Sequence, residues 1–245
     1  MSAPRFAITR AGFENGIARV TGAELHHMRA VARLKPGADV TLLDDHGMLY
    51  TGRILRFEPG CALVEVSRSR EPDVSGIATV ILAAALIKGP RMDFLVEKAA
   101  ELGAAELWPL VCERSVVHAP GAERLARWRR LALAAAKQSL ASRAIELRPP
   151  LGVADMARNV PKECLAVLCA PGAEPLAALI RRLRPRAIIL ACGPEGGFDQ
   201  AEVAAMAAAG FVAAGLGQSR LRSETAALAA LSIVAGVLDE INGRN

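Results

Sequence analysis

Aromatic side chains are scarce in this sequence: six Phe, two Trp and one Tyr make up 4% of 245 residues. A core must therefore be assembled mostly from Leu, Val, Ile and Ala, and the 48 alanines account for much of the 52% hydrophobic content. Two tryptophans form no base-stacking platform by themselves, so Trp108 and Trp128 are expected in the core or at a subunit contact. The five cysteines (Cys61, Cys112, Cys164, Cys169, Cys192) are odd in number, form no CxxC and have no His at zinc-ligand spacing. That pattern argues against a disulfide scaffold and a zinc site alike, and points to buried free thiols. Long apolar runs are missing too. The longest low-polarity stretch, Thr225–Leu238, is too short to span a bilayer and contains Ser232. The first residues, MSAPRFAITRAGFENG, have no apolar segment of the signal-peptide kind, so a cytoplasmic protein without membrane contact is expected.

What the chain does have is a basic surplus. Lys and Arg number 30 against 25 Asp and Glu, giving a net charge of +5. The excess is concentrated. Eight Lys/Arg against three Glu lie between Glu113 and Arg148, and Arg181, Arg182, Arg184 and Arg186 form a second cluster. One charge run is usually a solvated helix face, but two in one chain raise nucleic acid as a partner.

The organisation changes once along the chain. Residues 1–70 read as short alternating strands with one helix. Thr21-Gly-Ala-Glu24 is a capping-box pattern opening a helix to about Leu34, which Lys35-Pro36-Gly37 ends. Strands at Arg5–Thr9, Gly16–Val20, Asp39–Leu43, Met48–Phe57 and Cys61–Ser67 are joined by tight turns, which predicts antiparallel pairing and a small β-barrel. The polar stretch Arg68–Ser75 reads as a linker. From residue 76 to 245 continuous apolar strands alternate with helices, the pattern of a mostly parallel, buried sheet. Strands are expected at Ile77–Ile87, Glu106–Val111, Leu165–Cys169, Ala187–Cys192 and Phe211–Leu216. Helices are expected at Arg91–Leu102, Ala122–Ala141, Pro175–Leu183, from Asp199 to Gly210, and from Ser223 to about Ile241.

In open α/β sheets ligands lie beyond the carboxyl ends of the strands. Three strand ends are unusual here: Leu168-Cys169-Ala170-Pro171-Gly172, Cys192-Gly193-Pro194-Glu195-Gly196-Gly197-Phe198, and Leu216-Gly217-Gln218-Ser219-Arg220-Leu221-Arg222-Ser223-Glu224-Thr225. Glycine lets the backbone approach a ligand closely. The second loop lacks Gly-Lys-Ser/Thr and the GxGxxG spacing, so it is neither a P-loop nor a dinucleotide fingerprint. A ligand held by backbone amides and carbonyls, such as an adenosine moiety, fits better. In the third loop Ser223 is a natural N-cap and Glu224 falls in the first helical turn. Arg222 is either a surface ion-pair partner of Glu224 or Glu195, or a guanidinium aimed at a ligand oxygen that gains charge.

Gly193–Phe198 (GPEGGF) followed by Leu216–Ala226 (LGxxxLRxETA) resembles the signature pair of the SPOUT methyltransferase superfamily. Within it the chain is most similar to the RsmE family, the 16S rRNA uracil-N3 methyltransferases, over nearly its whole length. Pro4-Arg5-Phe6, His26-His27-Met28, Arg33 to Gly37, Lys88-Gly89, Lys98, Glu101-Leu102-Gly103, Pro109 and Arg114-Ser115 follow that family's pattern. The long helix departs from it, with Lys137-Gln138-Ser139-Leu140-Ala141-Ser142-Arg143 where Glu-Gln-Ser-x-Arg is usual.

The resemblance implies an α/β fold with a C-terminal trefoil-knotted parallel sheet and a PUA-like RNA-binding barrel at residues 1–70. It implies a homodimer, with 16S rRNA in the small ribosomal subunit as substrate and no metal. The S-adenosylmethionine site would comprise Leu168, Cys169, Ala170, Cys192, Gly193, Pro194, Glu195, Gly196, Gly197, Leu216, Gly217, Leu221, Arg222 and Thr225. Arg222 would stabilise charge on the uracil, and Glu195 is either a base or an orienter of its loop. Arg5, Arg33, Lys35, Lys88, Arg114 and Arg143 would meet RNA. Two alternatives stay open: a SPOUT enzyme with another RNA target, such as a ribose 2′-hydroxyl or a tRNA base, and an inactive RNA-binding protein of the same fold.

Overall fold

The computed structural model describes residues 3–9, 12–44, 48–70, 78–115, 117, 119–139 and 145–243. The chain divides into two units, Met1–Asp73 with Ala136–Ala144, and Val74–Ala135 with Ile145–Asn245.

In the first unit, alternating apolar residues build one curled sheet. Its strands are β1 (Arg5–Ile8), β2 (Phe13–Glu14), β3 (Ile17–Thr21), β4 (Asp39–Asp44), β5 (Leu49–Glu58) and β6 (Cys61–Arg70), in the order β1-β4-β5-β6-β3-β2. The pairings are antiparallel, as the tight turns predict, except for the parallel β1–β4 pair. Period-two alternation turns Tyr50, Gly52 and Ile54 of β5 inward. Tyr50 and Ile54 join Phe6, Val20, Met28, Val40, Leu42 and Val64 in a single core. The sheet curls until β1 comes near β3. Two polar details hold it. The buried Asp44 carboxylate accepts hydrogen bonds from Tyr50 Oη (2.9 Å) and Met48 N–H (2.8 Å). A β-bulge falls between Thr51 and Gly52, where a Cβ on Gly52 would collide with the Glu65 carbonyl and stand 2.9 Å from a Val64 methyl.

The helix of this unit differs from expectation. It is a short α1 (Gly22–His26) continuing as a π-helical turn at His27–Val31. The predicted capping box is not made: the Thr21 side chain caps nothing, and Glu24 instead accepts from the Ala7 N–H across to β1 (3.2 Å). The helix stops short of Leu34 because Leu34 N–H folds back onto Met28 O (2.9 Å) around Arg33 in a left-handed conformation (φ 50°). Arginine here takes the left-handed position after a helix that glycine more often fills.

The second unit runs β7 (Thr79–Ala85), α2 (Pro90–Glu101), β8 (Glu106–Val111), α3 (Ala122–Gln138), β9 (Glu146–Leu147), β10 (Leu151–Gly152), α4 (Val153–Arg158), β11 (Leu165–Cys169), α5 (Leu176–Leu183), β12 (Ala187–Cys192), α6 (Gln200–Ala208), β13 (Val212–Ala214) and α7 (Ser223–Ile241). The sheet order is β10-β8-β7-β12-β11-β13, with β9 also on β8, and every pairing is parallel. The apolar runs are continuous because both faces are covered. Val80, Leu82 and Ala84 of β7 face a core with α2, α3, α5 and α7, and Ile81, Ala83 and Ala85 face one with α4 and α6. Trp128 and Trp108 are buried, one in each core, as expected, and each indole N–H has a carboxylate, Asp93 (2.9 Å) and Glu106 (2.8 Å) respectively. The capping box of α6 forms as predicted, between Asp199 and Glu202. The cap predicted at Ser223 does not. Arg222 takes the N-cap position, and Ser223 lies inside the helix with its hydroxyl buried.

Candidate active site

Strands β12, β11 and β13 are adjacent, so their carboxyl ends bring the three unusual loops together. The segment after β11 is stitched to the end of β13. Ala170 N–H donates to Ala214 O (2.9 Å), Gly215 N–H to Glu174 O (2.8 Å) and Leu176 N–H to Gly215 O (2.9 Å). Gly215 permits that approach, since a Cβ would stand 2.8 Å from Ala173 O.

The loop after β12 is shaped by its glycines. Gly197 N–H closes a turn onto Pro194 O (2.8 Å) and has φ 69°. Gly193 makes room for the Phe198 ring, which a Cβ would meet at 3.1 Å. Pro194 is buried, whereas Glu195, Gly196 and Gly197 are exposed. The loop after β13 exposes Gly217 (φ 126°) and leaves Leu216 and Leu221 half-buried. Leu168, Cys169 and Ala170 are half-buried at the end of β11.

Cys192 is fully packed on the α7 side of the sheet, so only its backbone is available to a ligand. Its thiol is pushed well up from the ordinary range by the Cys169 thiol hydrogen-bonded to it and by burial. Neither cysteine is in a disulfide.

Two arginines tie this edge together. Arg114, after β8, donates to Gly196 O (3.0 Å). Arg91, in the first turn of α2, contacts Glu195 (2.9 Å) and Glu224 (3.4 Å) through one guanidinium nitrogen. The Glu195 carboxyl is held below its ordinary range, first by its own backbone N–H and then by Arg91. Of the two readings open for Arg222, the ion pair with Glu195 or Glu224 is not made, and Arg91 contacts both carboxylates. The exposed Arg222 guanidinium has no hydrogen-bond or ion-pair partner among the described residues. Thr225 is exposed one turn along, and the amides of Ser223, Glu224 and Thr225 precede the first α7 bond, Ala226 N–H to Arg222 O. Orphan amides and a positive dipole end favour anionic oxygen there.

Arg91 was missed from the sequence. A cation in a first helical turn opposes the helix dipole, and that conflict is the signal that marks it. Of the residues expected at RNA, Arg114 donates to the loop after β12. Arg33, Lys35 and Lys88 are exposed, without partners among the described residues. Arg5 is half-buried, and burial lowers its pKa. Arg143 lies outside the described residues.

Glycine-rich loops at the carboxyl edge of a parallel sheet, with a helix N-terminus following one of them, stand where ligands bind in folds of the α/β kind. A family model described as RNA methyltransferase domain matches residues 75–235, and one described as RNA methyltransferase PUA domain matches residues 20–59. By fold and family the second unit is thus an RNA methyltransferase domain. The chain is 31% identical over 224 residues to ribosomal RNA small subunit methyltransferase E of Synechocystis sp., spanning 90% of this chain and 73% of that one. The crystal structure of a ribosomal RNA small subunit methyltransferase E from Neisseria gonorrhoeae bound to S-adenosyl methionine superposes with a TM-score of 0.80 at 30% identity, covering 94% of this chain and 96% of that one. A methyltransferase from Legionella pneumophila in complex with the same cofactor gives 0.77 at 27% identity, covering 96% and 98%. The chain belongs to the ribosomal RNA small subunit methyltransferase E family. The SPOUT-type parallel sheet and PUA-like first unit anticipated from the motifs are the architecture found.

Proposed function

We propose that this protein methylates N3 of a uridine in 16S ribosomal RNA, working as a cytoplasmic homodimer on the small ribosomal subunit with S-adenosylmethionine as donor. The observation that carries the reading is the exposed Arg222 guanidinium at the head of α7, without a partner among the described residues, on one of three adjacent glycine-bearing strand-end loops. The site suits the cofactor. The buried Ser223 hydroxyl has no partner among the described residues, and Gly197 and Gly217 leave open space that side chains would fill. Backbone groups of Leu168–Ala170, Cys192–Gly197, Leu216 and Gly217 would hold it, with Leu221, Arg222 and Thr225 beside it. When bound, S-adenosylmethionine supplies an activated methyl group on a sulfonium.

The rest of the chemistry belongs to the chain. N3 of uracil becomes nucleophilic as its proton leaves, and charge moves onto the flanking carbonyl oxygens. Arg222 and the first α7 amides are suited to stabilise those oxygens. Glu195, held ionised by its own backbone and Arg91, acts as loop orienter rather than base. Arg5, Arg33, Lys35, Lys88 and Arg143 hold RNA phosphates and fix register more than sequence, and Arg114 serves the cofactor loop as well. A trefoil thread belongs to this reading, supported by the stitching of the 170–175 segment to Gly215.

The test is a transfer assay with labelled S-adenosylmethionine and undermodified small subunits, followed by digestion to nucleosides. Label in 3-methyluridine is expected. Label in another nucleoside would discard uracil N3, and no label from a cofactor-binding protein would discard the RNA target.

A further inference from the structure

We infer that Arg91 is a positioning residue for the cofactor pocket, setting the separation of the Gly193–Phe198 loop from the head of α7. The inference rests on the cofactor reading above. Arg91 reaches both signature segments from a third element, meeting Glu195 at 2.9 Å and Glu224 at 3.4 Å. The three residues differ in burial. The Glu224 side chain is only 10% exposed, against 39% for Arg91 and 48% for Glu195. Arg91 is the one partner the Glu224 carboxylate has among the described residues. A buried carboxylate without a cation is strongly unfavourable, so removing one partner is worse than removing both. Glu224 lies two residues beyond Arg222, so whatever fixes Glu224 also fixes the backbone from which Arg222 projects. Glu195 lies between Pro194 and Gly196, inside the turn closed by Gly197 N–H on Pro194 O.

The placement is locally unfavourable for α2, where a cation sits in the first turn after Gly89 and Pro90. Stability of α2 alone would not select it. Two carboxylates from segments far apart in the chain account for it. Glu195 is the more exposed and Glu224 the more buried, so the arginine links an exposed loop side chain to a buried one on α7. Both contacts run through one guanidinium nitrogen, so lysine would keep the charge at both carboxylates, on a more flexible stem and without the pre-organised guanidinium plane.

The experiment compares wild type with Arg91→Lys, Arg91→Gln and the double variant Arg91→Gln/Glu224→Gln. Hydrogen exchange at residues 194–198 and 223–226 is measured in the cofactor-free protein, and S-adenosylmethionine affinity by calorimetry. In Arg91→Gln, exchange in both segments should rise at least tenfold and affinity fall at least tenfold. The double variant, freed of the uncompensated buried carboxylate, should recover melting temperature but not affinity, because the link to Glu195 is still missing, and Arg91→Lys should fall between. Unchanged exchange in Arg91→Gln would overturn the inference, and so would a double variant whose affinity returns to that of wild type. A purely structural arginine would lower the melting temperature while leaving affinity at 25 °C unchanged. A wild type that binds no S-adenosylmethionine, with exchange still rising in Arg91→Gln, would support the clamp and overturn the cofactor reading instead.

Discussion

Arg222 carries the most specific consequence at the scale of a single residue. Its guanidinium has no partner among the described residues, Arg91 having taken Glu195 and Glu224, and in the proposed reaction it would meet charge that develops only in the transition state. Interactions made mainly in the transition state raise kcat rather than ground-state affinity. Arg222→Ala should therefore lower kcat by about 10²–10³-fold, the loss typical of one oxyanion-stabilising donor. Its S-adenosylmethionine affinity should change less than threefold by calorimetry. Equal losses in both would make Arg222 a cofactor ligand. The glycines and Arg222 were legible as residues because their types are unusual at strand ends. The pairing of Arg91 was not, since sequence shows the types of charges and not which of several carboxylates a given arginine reaches. Ser223 shows the same limit. Its type suits an N-cap, but helix α7 begins one residue earlier than a serine cap requires.

At the scale of elements, the strands of the second unit were the most legible. Glu106–Val111, Leu165–Cys169 and Ala187–Cys192 fall where the apolar runs put them. They are buried on both faces, so hydrophobicity alone marks them. Elements held by tertiary partners were missed: the two-residue strands β9 and β10, and α4, too short to show a helical period. In the first unit the capping box failed because Glu24 has a better donor in the neighbouring strand. The bulge at Gly52 makes a prediction at this scale. Gly52→Ala should destabilise the protein by about 1–3 kcal/mol, as overpacking does, and chemical denaturation will measure it. S-adenosylmethionine affinity should stay unchanged, because the substitution lies in the other unit.

At the scale of the molecule, the net charge of +5 becomes a statement about RNA binding. Arg33, Lys35 and Lys88 are exposed without partners among the described residues. With three to five phosphate contacts, log affinity should fall against log salt with a slope of roughly −2 to −3.5 for unpaired RNA. That is roughly a tenfold to hundredfold loss between about 50 and about 200 mM salt. Filter binding to 16S rRNA across that range will measure it, and a flat dependence would remove these residues from the interface. Lys88→Ala should reduce the slope by about 0.7.

The register of the parallel sheet bears also on how the protein is made. Thr79 of β7 pairs with Ala187 of β12, so one edge of the central strand has no partner until most of the chain has been synthesised. The proposed cofactor site needs still more, because it includes the first turn of α7. A ribosome making this protein must therefore release nearly all of it before the nascent chain can hold a methyl donor. Until then an apolar, hydrogen-bond-hungry strand emerges unpaired, which is the interval in which a trigger chaperone or a second nascent copy would compete for it.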